Sequence, residues 1–192
     1  MGLDSVELII DIEKYFNIRI KDEDAEGLYT AGRVVDHVSH LLGVDDTNEQ
    51  LLLGVGEKLA LSCNSIYTPA LMNEAIAAYI NFKDENSVLA IQERLGLPIP
   101  YLSFRQPSQK KTWWKKFVPS TSWLDKDWTG VSVRNFLIGV LAHNLEGVID
   151  KNNIRTTFEV YLAVVRITAD KVGVYYDEVT WDASFTDDLG VD

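Results

Sequence analysis

Residues 2–38 read GLDSVELIIDIEKYFNIRIKDEDAEGLYTAGRVVDHV, and their apolar spacing is helical at both ends. From Ser5 to Phe16, the side chains of Leu8, Ile9, Ile12 and Phe16 recur at three- and four-residue intervals, with Glu7, Asp11 and Lys14 on the opposite face. This predicts a short amphipathic helix. Ile18 and Ile20 then alternate with Asn17 and Arg19, and the acidic run from Lys21 to Glu26 has the length of a single turn. Thr30 can cap a further helix running to about Leu42, where Gly43 suits the stop.

Working outward, Asp46 to Asn64 carries another helical pattern in Leu52, Leu53, Val55 and Leu59, weakened by Gly54 and Gly56. Pro69 suits the first turn of a helix through Ala77 and Ile80. Asp84 to Leu95 reads as a short helix ended by Gly96. The stretch Leu97 to Trp128 changes character, with Pro98, Pro100, Pro107 and Pro119 and four of the five tryptophans. So many large rings predict an ordered connection rather than a flexible linker. Helix resumes at Val131 to Asn144 and at Thr156 to Lys171, where Phe158, Tyr161, Val164, Val165 and Val172 form a stripe before Gly173. No long alternating strand pattern, fixed repeat or low-complexity tract is found, so the predicted class is all-α.

Composition narrows the function. The chain has 192 residues, 46 % of them apolar, and 29 acidic against 18 basic side chains give a net charge of -11. That balance argues against nucleic acid as a partner. The lone cysteine, Cys63, excludes an internal disulfide and a thiolate metal site, and a reducing cytoplasm is expected. The longest unbroken apolar run, Phe136 to Ala142, falls far short of the roughly 18 residues a membrane span needs.

Residues 2–38 resemble the second and third helices of acyl carrier proteins. The family's LD[ST]VEL start stands here as Leu3-Asp4-Ser5-Val6-Glu7-Leu8, its IE..F spacing as Ile12, Glu13 and Phe16, and its T.G...D pattern as Thr30, Gly32 and Asp36. The final run, ITADKVGVYYDEVTWDASFTDDLGVD (167–192), resembles the end of that family's first helix, its long loop, and the DDLG.D segment preceding the prosthetic-group serine. The two halves are therefore in reversed order. Placing Asp192 before Gly2 gives DDLGVD-GLDSVELIIDIEKYF, a nearly continuous carrier sequence with Met1 left over.

The resemblance implies an acyl-carrier-like helical bundle supplied by both ends: residues 1–43 as the second and third helices, residues 156–192 as the first helix and loop, and residues 45–155 as a central helical, tryptophan-rich insert. A permuted bundle within one molecule, a domain swap between neighbouring chains, and a piece spanning two successive carrier domains all fit the order. Complementation of some kind is favoured. Either half alone would leave an apolar helix face in water, at a cost of about 1.5 to 3 kcal/mol for each large side chain.

In this family a serine at the start of the second helix carries a phosphopantetheine arm, whose phosphate gains from the positive helix end. The longer match places Gly2 at that position. A shifted register makes Ser5 the acceptor but breaks the spacing to Glu7 and Phe16, and the other reading of Ser5 is a helix N-cap. Asp4, Glu7, Asp11 and Glu13 match the acidic surface that acyl-transferring or synthase-type enzymes recognise with basic patches; their other reading is an ordinary solvated face. The implied function is a carrier or docking module in acyl or fatty-acid-type metabolism, and the alternative is a non-loaded structural or interaction protein with the same fold.

Three further groupings carry less. Arg105, Lys110, Lys111, Lys115 and Lys116 cluster with Trp113 and Trp114, which reads as an amphipathic turn with buried rings or as a patch for self-association on the acidic helix. Asp36, His37 and His40 share a turn, but with no fourth ligand no metal site is predicted. His143 beside Asn144 suits a helix C-terminus, and Cys63 has no identifiable base partner. Catalytic residues are not predicted.

Overall fold

The computed structural model describes residues 3–100 and 126–191, and among them the secondary structure is helical, with no strand beyond two isolated bridges. Helix α1 (Leu3–Phe16) buries Leu8, Ile9, Ile12 and Phe16, the stripe expected from their spacing. The acidic turn is α2 (Asp22–Ala25), and α3 (Ala31–Leu42) starts and stops where its caps predict. The Thr30 hydroxyl accepts from the Arg33 N–H, and Gly43 closes the helix at φ 69°, a left-handed conformation that costs glycine little.

Helix α8 (Thr157–Val172) holds the molecule together. Its apolar surface is wider than the predicted stripe: Val160, Leu162, Ala163 and Ala169 are buried as well as Phe158, Tyr161, Val164 and Val165. The reason is that α8 packs on α1 and α3 and also on α6 (Val133–His143) and the short α7 (Leu145–Val148), so little of its circumference meets water. Its start is fixed by a capping box, in which Thr156 accepts from the Glu159 N–H at 3.1 Å and the Glu159 carboxylate accepts from the Thr156 N–H.

In the central region, α4 (Gln50–Ser62) packs on α6 and on α5 (Glu85–Leu95), which is capped by Asp84 and ended by Gly96. The helix expected from Pro69 through Ile80 is instead two 3-10 turns, Pro69–Asn73 and Ile76–Ala78. Tertiary hydrogen bonds take the backbone there: Val133 N–H donates to Glu74 O at 2.8 Å, and Ile76 N–H to Val131 O at 2.9 Å. Trp128 is buried and stacks on Phe82 with ring centroids 4.1 Å apart, so this end of the aromatic-rich connection is ordered. The basic cluster at Arg105, Lys110, Lys111, Lys115 and Lys116, with Trp113 and Trp114, lies outside the described residues.

One apolar core runs through all of this, joining Leu8 and Val34 to Leu52, Leu137, Val164 and Phe185. Among the described residues no helix is long and apolar enough to cross a membrane.

Candidate functional site

The C-terminal segment returns to the N-terminal helices. Backbone N–H groups of Ala31 and Gly32, in the first turn of α3, donate to Ala183 O at 3.2 Å and Trp181 O at 2.7 Å. The Phe185 N–H donates to Tyr29 O at 3.0 Å. Two donors at the start of α3 that the helix itself cannot pair are thus satisfied by the opposite end of the chain. Beyond them, the 184–190 segment ties itself into a turn: Ser184 N–H donates to Asp188 Oδ2 at 2.8 Å, and Gly190 adopts φ 69°. Phe185, Leu189 and Val191 are buried.

This docking places the start of α1 beside the C-terminal loop. Ser5 lies within α1, not at its cap, so the N-cap reading is corrected. It is half-buried and borders a cavity of about 70 Å3 together with Leu8, Ile9, Leu28, Phe185 and Thr186. Gly2 lies outside the described residues. Asp4 is in the first turn of α1.

The acidic residues of α1 have separate surroundings. Lys171, in the last turn of α8, reaches both Glu7 at 2.7 Å and Asp11 at 3.3 Å, and the hydrogen bond it donates to Glu7, aided by that to Asp11, outweighs burial and raises its pKa. Glu13 turns the other way and accepts from the Ile20 N–H at 2.7 Å, closing the loop after α1. Beside it, Val6 and Ile10 are about two-fifths exposed and line a groove of about 360 Å3 with Ile9 and Ile20, whose rim carries Glu13, Asp22 and Glu26 against Arg19. The face offers apolar contact inside an acidic border, which suits a basic surface with an apolar centre.

The remaining candidates are dispersed. The thiol of Cys63 faces the Tyr79 carbonyl, and burial pushes its pKa up, away from thiolate character. His143 sits by the Tyr176 ring, and burial followed by the Arg166 charge lowers its pKa. The described residues hold no cluster of three metal-ligating side chains, His37 and His40 included.

Sequence reading missed two ion pairs and a cleft. Arg134 on α6 forks onto Glu49 at 2.8 and 2.5 Å, and Lys126 pairs with Asp177 at 2.8 Å inside the protein. The partners are far apart in the chain, so no local spacing marks them. Near Arg134 a cleft of about 500 Å3 opens between four separate segments.

No protein-family profile matches the chain, and neither does any solved structure. Among curated proteins, it is similar to the acyl carrier protein of Chlorobium phaeobacteroides, 44 % identical over 37 residues, which are 19 % of this chain and 47 % of that protein. It is also similar to the acyl carrier protein of Buchnera aphidicola subsp. Schizaphis graminum, 50 % identical over 39 residues, 20 % of this chain and 49 % of that protein. The chain therefore spans about half the length of the curated relatives it matches. About a fifth of it is acyl-carrier-like, and the likeness is to carriers rather than to enzymes.

Proposed function

We propose that this chain is an acyl-carrier-like docking module of acyl or fatty-acid-type metabolism, acting in the cytoplasm, whose two end segments complete one permuted carrier-type bundle within a single molecule. On this reading residues 1–43 and 156–192 form the bundle and residues 45–155 the insert. The observation that carries it is the return of the C-terminal segment: Trp181, Ala183 and Phe185 bond the Tyr29–Gly32 backbone while α8 packs on α1 and α3. The partners are acyl-transferring or synthase-type enzymes that meet α1 with a basic patch, reading Asp4, Glu7, Asp11 and Glu13. Self-association through the basic tryptophan-rich segment uses the same charge pairing.

Docking without a loaded arm is the form the site favours. Phosphopantetheine, when attached, supplies a thiol that carries the acyl group, and its phosphate needs an exposed hydroxyl at a helix start. Ser5 does not fit that requirement, being half-buried inside α1 on a cavity wall shared with Leu8 and Phe185. Gly2, at the position matched to the family's serine, has no hydroxyl.

Intact-mass measurement after co-expression with a phosphopantetheinyl transferase tests this. The expected result is no added arm on the natural chain and an added arm on a Gly2→Ser variant. Loading of the natural chain at Ser5 would establish a carrier instead, and failure of Gly2→Ser to load would break the positional match.

A further inference from the structure

We propose that the cleft between the start of α4, α6, the first turns of α8 and the 180–182 loop binds an organic cation, an amine or quaternary ammonium borne on an apolar body. The cleft encloses about 500 Å3, and small-molecule sites typically fall between about 300 and 1,000 Å3. Its charges are unequal in a specific way. Arg134 is held by both oxygens of Glu49, so these two cancel. Asp182, on the same lining, is exposed and has no ion pair or hydrogen-bonded side-chain partner among the described residues. Asp182 is therefore a carboxylate on this lining without a side-chain partner among the described residues, set against the partial positive charge at the starts of α4, α6 and α8.

The rest of the lining sets three aromatic rings, Phe158, Tyr161 and Trp181, among Ile138, Asn135 and three threonines. Tyr161 and Phe158 form the floor, with centroids 6.4 Å apart, and the Tyr161 hydroxyl is fixed by donating to Val179 O at 3.0 Å. Trp181 stands edge-on to Tyr161 at 5.4 Å and keeps 41 % of its surface exposed. Its position is set by backbone: its carbonyl accepts from Gly32 N–H, and its indole fills the space where any side chain at residue 32 would lie. A cation is drawn both to a carboxylate and to the negative faces of aromatic rings. An anion would meet Asp182 unpaired and would have to displace Glu49 from Arg134. The net charge of -11 adds to the same preference at long range. Phe158, Tyr161, Trp181 and Asp182 belong to the 156–192 part of the proposed bundle, but the cation site uses neither Ser5 nor the acidic side chains of α1, so its failure and that of the docking reading are distinguishable.

Calorimetric titration of the full chain with three probes sharing one ring tests the proposal: benzyltrimethylammonium, benzyl alcohol and benzoate. The cation is expected to bind saturably, at least about tenfold tighter than the alcohol, with benzoate weakest, and to shift the Trp181 indole N–H resonance. Asp182→Asn is expected to weaken the cation about tenfold and leave the alcohol unchanged, while Asp182→Glu retains binding. Absence of saturable binding, equal affinity for the three probes, preference for benzoate, or indifference to Asp182→Asn in a folded variant would each overturn it.

Discussion

Lys126 and Asp177 take opposite charges to a place where each side chain is less than a tenth exposed, and they meet there at 2.8 Å. Burial is the larger influence on Asp177 and raises its carboxyl pKa, while Lys126 pulls it down. The folded state therefore holds the proton more tightly than the unfolded chain, and the aspartate's contribution to stability falls as pH rises from the ordinary aspartate range through the raised value. Lys126→Met removes the opposing charge. It is predicted to cost about 3 kcal/mol at pH 7 and less at about pH 5, where the abandoned carboxyl can protonate; urea unfolding at the two pH values measures the difference. At Gly32 the argument is steric, because an added Cβ would come within 2.4 Å of the Trp181 ring. Gly32→Ala gains about 1 kcal/mol of helix propensity but incurs overpacking of about 1 to 3 kcal/mol, so a net loss of Tm is predicted. The loss should shrink when Trp181→Ala is introduced beside it. Neither feature was legible in the sequence, since the charges and the ring come from segments that only the tertiary fold brings together.

Among the elements, α8 shows best what local sequence does specify. Thr156 and Glu159 form a reciprocal cap, and Gly173 ends the helix at φ 82°. Thr156→Ala is predicted to lower stability by about 1 kcal/mol, and the double variant with Glu159→Ala to lose less than the sum of the two, because each residue serves the other's backbone donor. Chemical denaturation of the four proteins closes the cycle. The ends of α3 and α5 were legible for the same reason, since Thr30, Gly43, Asp84 and Gly96 act on their own turns. The Pro69–Ile80 segment misled because its helical spacing competes with hydrogen bonds to Val131 and Val133, which no nearby residue announces. The width of the α8 core face was also hidden: a stripe predicts one packing partner, and α8 has several. Near the candidate site, spacing placed Glu7 and Asp11 opposite the buried stripe of α1, whereas the turn of Glu13 toward the Ile20 N–H and the half-burial of Ser5 beside Phe185 depend on contacts that spacing does not carry.

For the whole molecule, the joining of the two ends rests on apolar burial and backbone hydrogen bonds rather than on the surface charges that cross the seam. Lys171 is exposed enough to be solvated while it bridges Glu7 and Asp11. Lys171→Gln is accordingly predicted to lower Tm slightly, and the difference to vanish in about 1 M salt, where such pairs are screened. The Phe185 ring, by contrast, is buried beside Leu8 and Ile9. The central claim is that both ends of one chain build one packing unit, and isotope-filtered NMR tests it most directly. In a mixture of labelled and unlabelled copies, nuclear Overhauser contacts from the Phe185 ring to Leu8 and Ile9 methyl groups are predicted within each chain and absent between chains. Contacts seen only between differently labelled copies, or not seen at all, would contradict the account.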